Sequence, residues 1–198
     1  MACELVDLLL ERKAFMIGDF TLSSGKKSSF YLDLRRLLGD PVSFSKTVEA
    51  LLAEARDLEP YDTVVGLATA GIPWATALAL TSGKRLAYVR SEAKEYGTKS
   101  SIEGLLENEG GICVLVDDVA TTGGTLKKAI KALSETNVCK VKAALVIIDR
   151  LQGAREALAE LSVELRAVTN IAELVQCMKE RGRIDEESMK SITSELRV

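Results

Sequence analysis

Residues 114–125 read Val114-Leu115-Val116-Asp117-Asp118-Val119-Ala120-Thr121-Thr122-Gly123-Gly124-Thr125. An apolar run meets two carboxylates, and a turn of small, hydroxylated residues follows. Leu126–Leu133 then continues with apolar residues at helical spacing. The order strand, acidic pair, Thr/Gly turn, helix puts the turn beyond the carboxyl end of a strand, where open α/β sheets bind their ligands.

Working outward, short apolar or β-branched runs recur at Asp62–Leu67, Arg85–Arg90, Ile112–Val116, Val141–Ile148 and Val163–Val168. Helically spaced stretches lie between most of them, at Ser43–Leu58, Pro73–Ser82, Gly124–Ser134 and Gln152–Glu160. Strands that read as near-continuous apolar runs are covered on both faces. The alternation therefore predicts a doubly wound α/β domain, a mostly parallel sheet flanked by helices. No repeat, low-complexity tract or linker divides the chain, so residues 1–198 are expected to form one domain.

Two segments depart from this pattern. Phe15–Leu22 and Phe30–Arg35 read as paired strands joined at Ser23-Ser24-Gly25-Lys26-Lys27, a small lid ahead of the first parallel strand. Residues 91–104 are polar and charged, and a stretch of that length without its own structure inside a compact domain points to function. Two helices after residue 170 close the chain.

The central stretch has a chemistry of its own. Small residues at 121–125 let backbone N–H groups approach an anion, and the next helix adds its positive end. Thr121, Thr122 and Thr125 add hydroxyl donors, while Asp117 and Asp118 are placed to accept from two vicinal hydroxyls. A phosphate cup beside two carboxylates suits a ribose 5-phosphate. The same acidic pair alone would also fit a response-regulator pocket or a capped strand end, but the first belongs near an N-terminus rather than in a fourth strand. Residues 22–27 lack the spacing of a P-loop, and no G-x-G-x-x-G is present.

Composition narrows the partners. The net charge of −3 argues against a nucleic-acid binder, whose footprint is basic. The start of the chain carries Glu4 and Asp7 where a signal peptide needs positive charge, and reads as an amphipathic helix. The apolar stretch Ile72–Leu80 falls well short of the roughly 20 residues of a membrane span. The absence of histidine removes Ser-His and Cys-His nucleophile pairs. Cys3, Cys113, Cys139 and Cys177 are scattered and read as isolated, buried thiols of a reduced cytoplasm, with intracellular disulfides of hyperthermophiles as the exception. Trp74 reads as core, Arg150 taken alone as a strand-end partner of Asp149, and Lys179–Arg183 as a solvated helix end.

Residues 114–125 are similar to the phosphoribosyl pyrophosphate motif of type I phosphoribosyltransferases, and further stretches narrow the resemblance to orotate phosphoribosyltransferase. Phe20–Gly25 with Ser28, Tyr31, Asp33 and Arg35 resembles that family's N-terminal hood, and Ala68–Pro73 its pyrophosphate loop. Tyr88–Ser91, Lys94, Gly97 and Ile102–Gly104 resemble its mobile catalytic loop, and Asp149-Arg150 with Gly153 the stretch that contacts orotate. The likeness runs in order from about residue 5 to 180.

The resemblance implies transfer of the 5-phosphoribosyl group from phosphoribosyl pyrophosphate to orotate N1, giving orotidine 5-monophosphate and pyrophosphate for pyrimidine (UMP) biosynthesis. It implies that Asp117 and Asp118 hold the ribose hydroxyls. Val119, Ala120, Thr121, Thr122, Gly123, Gly124 and Thr125 cradle the phosphate, Arg90 and Lys94 meet the pyrophosphate, and Thr121 and Arg150 bind orotate. Lys94, Asp117 and Asp118 are the implied catalytic residues. Mg²⁺ is expected to ride mainly on pyrophosphate oxygens, with no protein metal ligand. A hood from about residues 1–40 plus the C-terminal helices, a cytoplasmic homodimer, and a loop lysine donated across the interface complete the picture. The chain departs from the family at Ser23, Ala70 and Ser91, where many members carry lysines, and at Tyr96, where a histidine is usual. With an unperturbed pKa of about 10, a tyrosine is a poor acid–base group near neutrality. Lys94 and Lys99 are the cations left on the loop.

A purine or another pyrimidine as the base, or a non-catalytic sensor of phosphoribosyl pyrophosphate, are the competing readings. The hood stretches favour orotate, and no helix-turn-helix extension or basic arm favours a sensor.

Overall fold

Thr63–Leu67 (β3), Ile112–Ala120 (β6) and Lys140–Asp149 (β7) are the runs with the least polar interruption, and they form the centre of the sheet. Every residue of β3 is buried. In the computed structural model, which describes residues 2–21, 25, 27–91, 101–105 and 108–196, Arg85–Val89 (β4) and Glu164–Asn170 (β8) flank them. The six-stranded order is β5-β4-β3-β6-β7-β8, parallel throughout except for β5 (Ile102–Glu103), which runs antiparallel to β4.

Alternate residues of each strand feed two cores. Val64, Val114, Val116 and Leu145 face α2 (Pro41–Arg56) and α3 (Gly71–Ser82), and Val65, Leu115, Ala144 and Val146 face α4 (Gly124–Glu135) and α5 (Ala154–Ala159). Asp40 caps α2 by accepting from Ser43 N at 2.8 Å, with Pro41 in the first turn. Trp74 is fully buried with its ring 5.3 Å from that of Phe44, as expected of core.

Chain order and strand order diverge at one place. From β3 the chain crosses to β4 on one side, whereas from β6 it crosses to β7 on the other. The carboxyl ends of β3 and β6 therefore flank a switch point, where Gly71 at the start of α3 meets Val116 and Asp117.

The hairpin forms a separate sheet of Phe15–Thr21 (β1) and Lys27–Leu32 (β2). A lone two-stranded ribbon is marginal in water, and this one rests on helices from both chain ends. Phe15 and Phe30 stack at 5.6 Å within the core that α1 (Ala2–Glu11), α6 (Ile171–Glu180) and α7 (Glu186–Ser194) share. The predicted second strand overran: Leu34–Gly39 is a 3-10 helix, because Leu34 and Leu37 turn inward at a three-residue spacing.

Two further expectations are corrected. The segment 91–104 is not structureless throughout, since Ile102, 4% exposed, covers the sheet edge and pairs with Val89. Residues 92–100 of that segment lie outside the described ones. The cysteines are not isolated thiols: Cys3 joins Cys177 across α1 and α6, with Cα atoms 5.3 Å apart, and Cys113 joins Cys139 between β6 and the start of β7 at 6.0 Å. No described helix is long and apolar enough to cross a membrane. The exposed Arg181, within the Lys179–Arg183 cluster, contacts Asp7.

Candidate active site

β6 carries its apolar residues into the sheet and its two carboxylates to the sheet's edge. Asp117 and Asp118 remain in strand pairing but are only partly covered, and each is braced by the next amide. Asp118 N donates to Asp117 Oδ1 at 2.9 Å and Val119 N to Asp118 Oδ1 at 2.8 Å. Burial, and secondarily the charge of Asp118, pushes the Asp117 carboxyl up to about 8. Asp118 is also raised, by burial, although the Val119 amide and the Arg35 guanidinium pull the other way. Both shifts have burial as their first cause, and a nearby cation or hydroxyl donors would relieve them.

Beyond Ala120 the chain turns through Gly123, whose left-handed φ of 78° starts α4. A side chain there would press on Ala154 and Leu158, at 3.1–3.3 Å. No side chain caps the helix, so its first amides face the cup. Asp117, Val119, Ala120, Thr121, Thr122, Gly123, Gly124 and Thr125 line a cavity of about 260 Å³ together with Leu126 and Lys128. A larger cavity of about 480 Å³, lined by Leu133, Cys139 and Lys140, lies where β7 begins, at the wrong end of the strands for this chemistry.

Gly71 opens α3 against the acidic pair. A Cβ there would overlap Val116 O and stand 3.1 Å from Asp117 Cα, so glycine lets the loop and the carboxylate meet. The Ala68–Thr69 peptide in that loop is cis, and Ser91 Oγ donates to Ala68 O at 3.3 Å.

Arg90 lies at the same edge, one strand beyond β3, with Nη1 3.7 Å from Glu103 Oε1. Arg150 follows β7, and its N–H donates to Ala120 O at 2.9 Å, which sets it beside Thr121. Its guanidinium is 4.4 Å from the ring centroid of Phe30 and 3.4 Å from Ser28 Oγ. The residue is 6% exposed, and Nε has no hydrogen-bond partner among the described residues. The simple pairing of Arg150 with Asp149 does not occur. Asp149, buried, accepts instead from Arg155 Nη2 at 3.3 Å and Leu151 N at 2.9 Å. Arg150 is thus a buried cation turned to the hairpin.

Residues 42–177 match the phosphoribosyl transferase domain. The orotate phosphoribosyltransferase of Aeropyrum pernix is 45% identical over 173 residues, which are 87% of this chain and 91% of that protein. The chain belongs to the orotate phosphoribosyltransferase family. The enzyme of that name from Sulfurisphaera tokodaii is 39% identical over 96% of this chain and 95% of its own. Among solved structures, orotate phosphoribosyltransferase from Aeropyrum pernix superposes with a TM-score of 0.79 at 43% identity, over 91% of this chain and 99% of that one. Leishmania donovani UMP synthase reaches 0.87 at 29% identity, over 98% of this chain and 42% of that longer one.

Against this family frame, the structure brings Arg90, Asp117–Thr125 and Arg150 to one sheet edge. Lys94, Tyr96 and Lys99 lie outside the described residues, as do Ser23, Ser24 and Lys26 of the hairpin turn. Two cations were not among the sequence candidates. Lys128 lines the cup from the start of the second turn of α4, one helical turn after Gly124, a spacing that could have flagged it. Arg35 lies close enough to Asp118 to lower it, while its own Nε donates to Asp33 at 2.6 Å; nothing local in the sequence pairs residue 35 with residue 118.

Proposed function

We propose that this family member transfers the 5-phosphoribosyl group from phosphoribosyl pyrophosphate to N1 of orotate through the residues gathered at the β3–β6 switch point. One observation carries the reading: an uncapped Thr/Gly helix start, a half-buried carboxylate pair and a buried arginine meet at one edge. The backbone and hydroxyls of Val119–Thr125 receive the 5-phosphate, with the positive end of α4 beneath it. Asp117 and Asp118 accept from the two ribose hydroxyls and so hold the sugar with its anomeric carbon open to the base. Arg150 answers the orotate carboxylate, beside Thr121. As the C–O bond to pyrophosphate breaks, the electron pair leaves with pyrophosphate, the bond to N1 forms on the opposite face, and the N1 proton ends on the released pyrophosphate or in water. Arg90 and Lys94 offset the charge that builds on the leaving group.

Two carboxylates whose values are raised by burial would be relieved by positive charge, and this supports reading Mg²⁺ as part of the site. Carried mainly by pyrophosphate and water, the ion would supply charge neutralisation. Among the described residues the cluster of possible ligands is Cys3, Cys177 and Glu180, and its two cysteines are disulfide-bonded.

The hood is read as residues of about 1–40 with the C-terminal helices, the catalytic loop as about 91–104, and the assembly as a homodimer in which Lys94 reaches the neighbour's site. A cytoplasmic location belongs to this reading, and the two disulfides agree with it where intracellular disulfides persist, as in hyperthermophiles.

Orotate consumption, followed by its ultraviolet absorbance with phosphoribosyl pyrophosphate and Mg²⁺, tests the reaction. Turnover is expected with orotate and not with adenine, hypoxanthine or uracil, and turnover of a purine instead would overturn the base assignment. The shared loop has its own test. Lys94→Ala and Asp118→Asn variants, each inactive, are expected to regain about a quarter of wild-type activity after mixing and subunit exchange, because one site in each mixed dimer is then intact. Mixed dimers that stay inactive would place the lysine in its own subunit's site.

A further inference from the structure

The residue that follows α7 reaches the wall that is to receive the base. α7 stops at Ser194, and the carboxylate of Glu195 lies against β2. Its Oε1 accepts from Ser29 N at 2.5 Å and from Ser29 Oγ at 2.7 Å, and its Oε2 accepts from Ser28 Oγ at 2.8 Å. The hairpin's pairing skips Ser29 on β2, opposite Gly18 and Asp19 on β1. The register slips between Ile17 and Phe20, while Phe30 and Ser28 keep their partners. Glu195 therefore takes up the N–H that the ladder leaves over at the bulge.

The contact continues inward. Ser28, 4% exposed, lies between Glu195 and Arg150, with Arg150 Nη2 3.4 Å from its Oγ. The single proton of Ser28 can go to Phe30 O at 2.9 Å or to the carboxylate at 2.8 Å. The charged acceptor is the stronger of the two, which leaves the lone pairs of Ser28 toward the guanidinium. Arg150 also lies over Phe30, the next residue along β2 but one. Burial raises Glu195, but the hydrogen bonds from Ser29 and Ser28 outweigh it and hold the carboxyl below its ordinary value. It is thus an anion at neutral pH.

We propose that Glu195 is a positioning residue for the base: through Ser28 and Ser29 it fixes β2 and the Arg150 guanidinium in the geometry that receives a carboxylate. This rests on the reading that Arg150 binds orotate. A second anion near an anionic substrate also repels it. Two facts favour positioning over repulsion: three donors already occupy the Glu195 oxygens, and Ser28 stands between that carboxylate and the arginine.

Steady-state kinetics of the full chain separate these effects. Glu195→Ala is expected to raise the KM for orotate about tenfold, a loss of one decade of affinity, with the KM for phosphoribosyl pyrophosphate within about twofold of wild type. Glu195→Gln keeps an acceptor for the Ser29 amide but not the charge, and is expected to fall between. An orotate KM that is unchanged or lower overturns the proposal, the second because repulsion then dominates. A parallel rise in both KM values overturns it too, since that marks a general loosening. Arg150→Gln is the companion arm. If it leaves the orotate KM unchanged, the reading of Arg150 fails and this inference with it. If it raises that KM while Glu195→Ala does not, the inference alone fails.

Discussion

Asp117→Asn is expected to cost at least about a hundredfold in turnover and, at the same time, to make the ligand-free protein more heat-stable at pH 8. The two effects share one cause. The Asp117 carboxyl is pushed up to about 8, first by burial and then by the charge of Asp118, against an ordinary value near 3.9 in an unfolded chain. A folded-state value above the unfolded one contributes stability that is fully present below about pH 4. That contribution is lost as pH rises from about 4 to the folded value, because the unfolded chain then ionises freely while the covered carboxyl beside a second acid does not. Asparagine cannot ionise, so the variant lacks this slope.

The melting temperature of Asp117→Asn minus that of wild type should therefore be small at pH 5 and clearly positive by pH 8. The difference isolates residue 117, since other titrating groups are common to both proteins. A difference of constant size across that range would mean that Asp117 is ionised in the folded protein and that its burial is relieved by something else. Loss of activity with gain of stability is the signature of a site held in a costly state for its ligand.

The fold was legible because its signal is periodic and local. Val64-Val65 and Val114–Val116 could not be anything but covered strands once Gly71–Ser82 and Gly124–Glu135 followed them as helices. The phosphate cup was legible for the same reason, since the residues of 117–125 act together in one short stretch of chain. What escaped depends on contacts between distant parts. Arg150 has an acidic neighbour in sequence, yet the β7–β8 edge gives Asp149 to Arg155 and the hairpin takes Arg150. Glu195 carries no local signal, and its partners are 166 and 167 residues away. Ile102 was one apolar residue in a polar stretch, and only the uncovered flank of β4 turns it into a strand.

The disulfides are the plainest case of a non-local fact, and breaking them is the other large expected effect. Cys3 and Cys177 are 174 residues apart in sequence, a loop whose closure in the unfolded chain is worth about 5 kcal/mol on chain-entropy grounds. Cys113 and Cys139, separated by 26, are worth about 3 kcal/mol on the same basis. A typical domain is held by only about 5–15 kcal/mol in all. At roughly 2–4 °C per kcal/mol for a chain of this size, opening the first bridge should lower the melting temperature by about 10–20 °C.

Replacing a buried sulfur with a hydroxyl adds a cost of its own, at Cys113 above all, which is fully buried. The cleaner comparison is therefore wild type with and without reductant, set beside Cys3→Ser/Cys177→Ser under both conditions. Reductant should destabilise wild type strongly and the double variant much less, leaving in the latter only the share of Cys113–Cys139. The site should feel the first bridge as well, because α1 and α6 are the floor on which the hairpin carrying Phe30 rests. The KM for orotate should accordingly rise on reduction at temperatures well below melting. Titration of four free thiols in the native protein, or a melting temperature indifferent to reductant, would show that the pairs do not form and that the hairpin is held by packing alone.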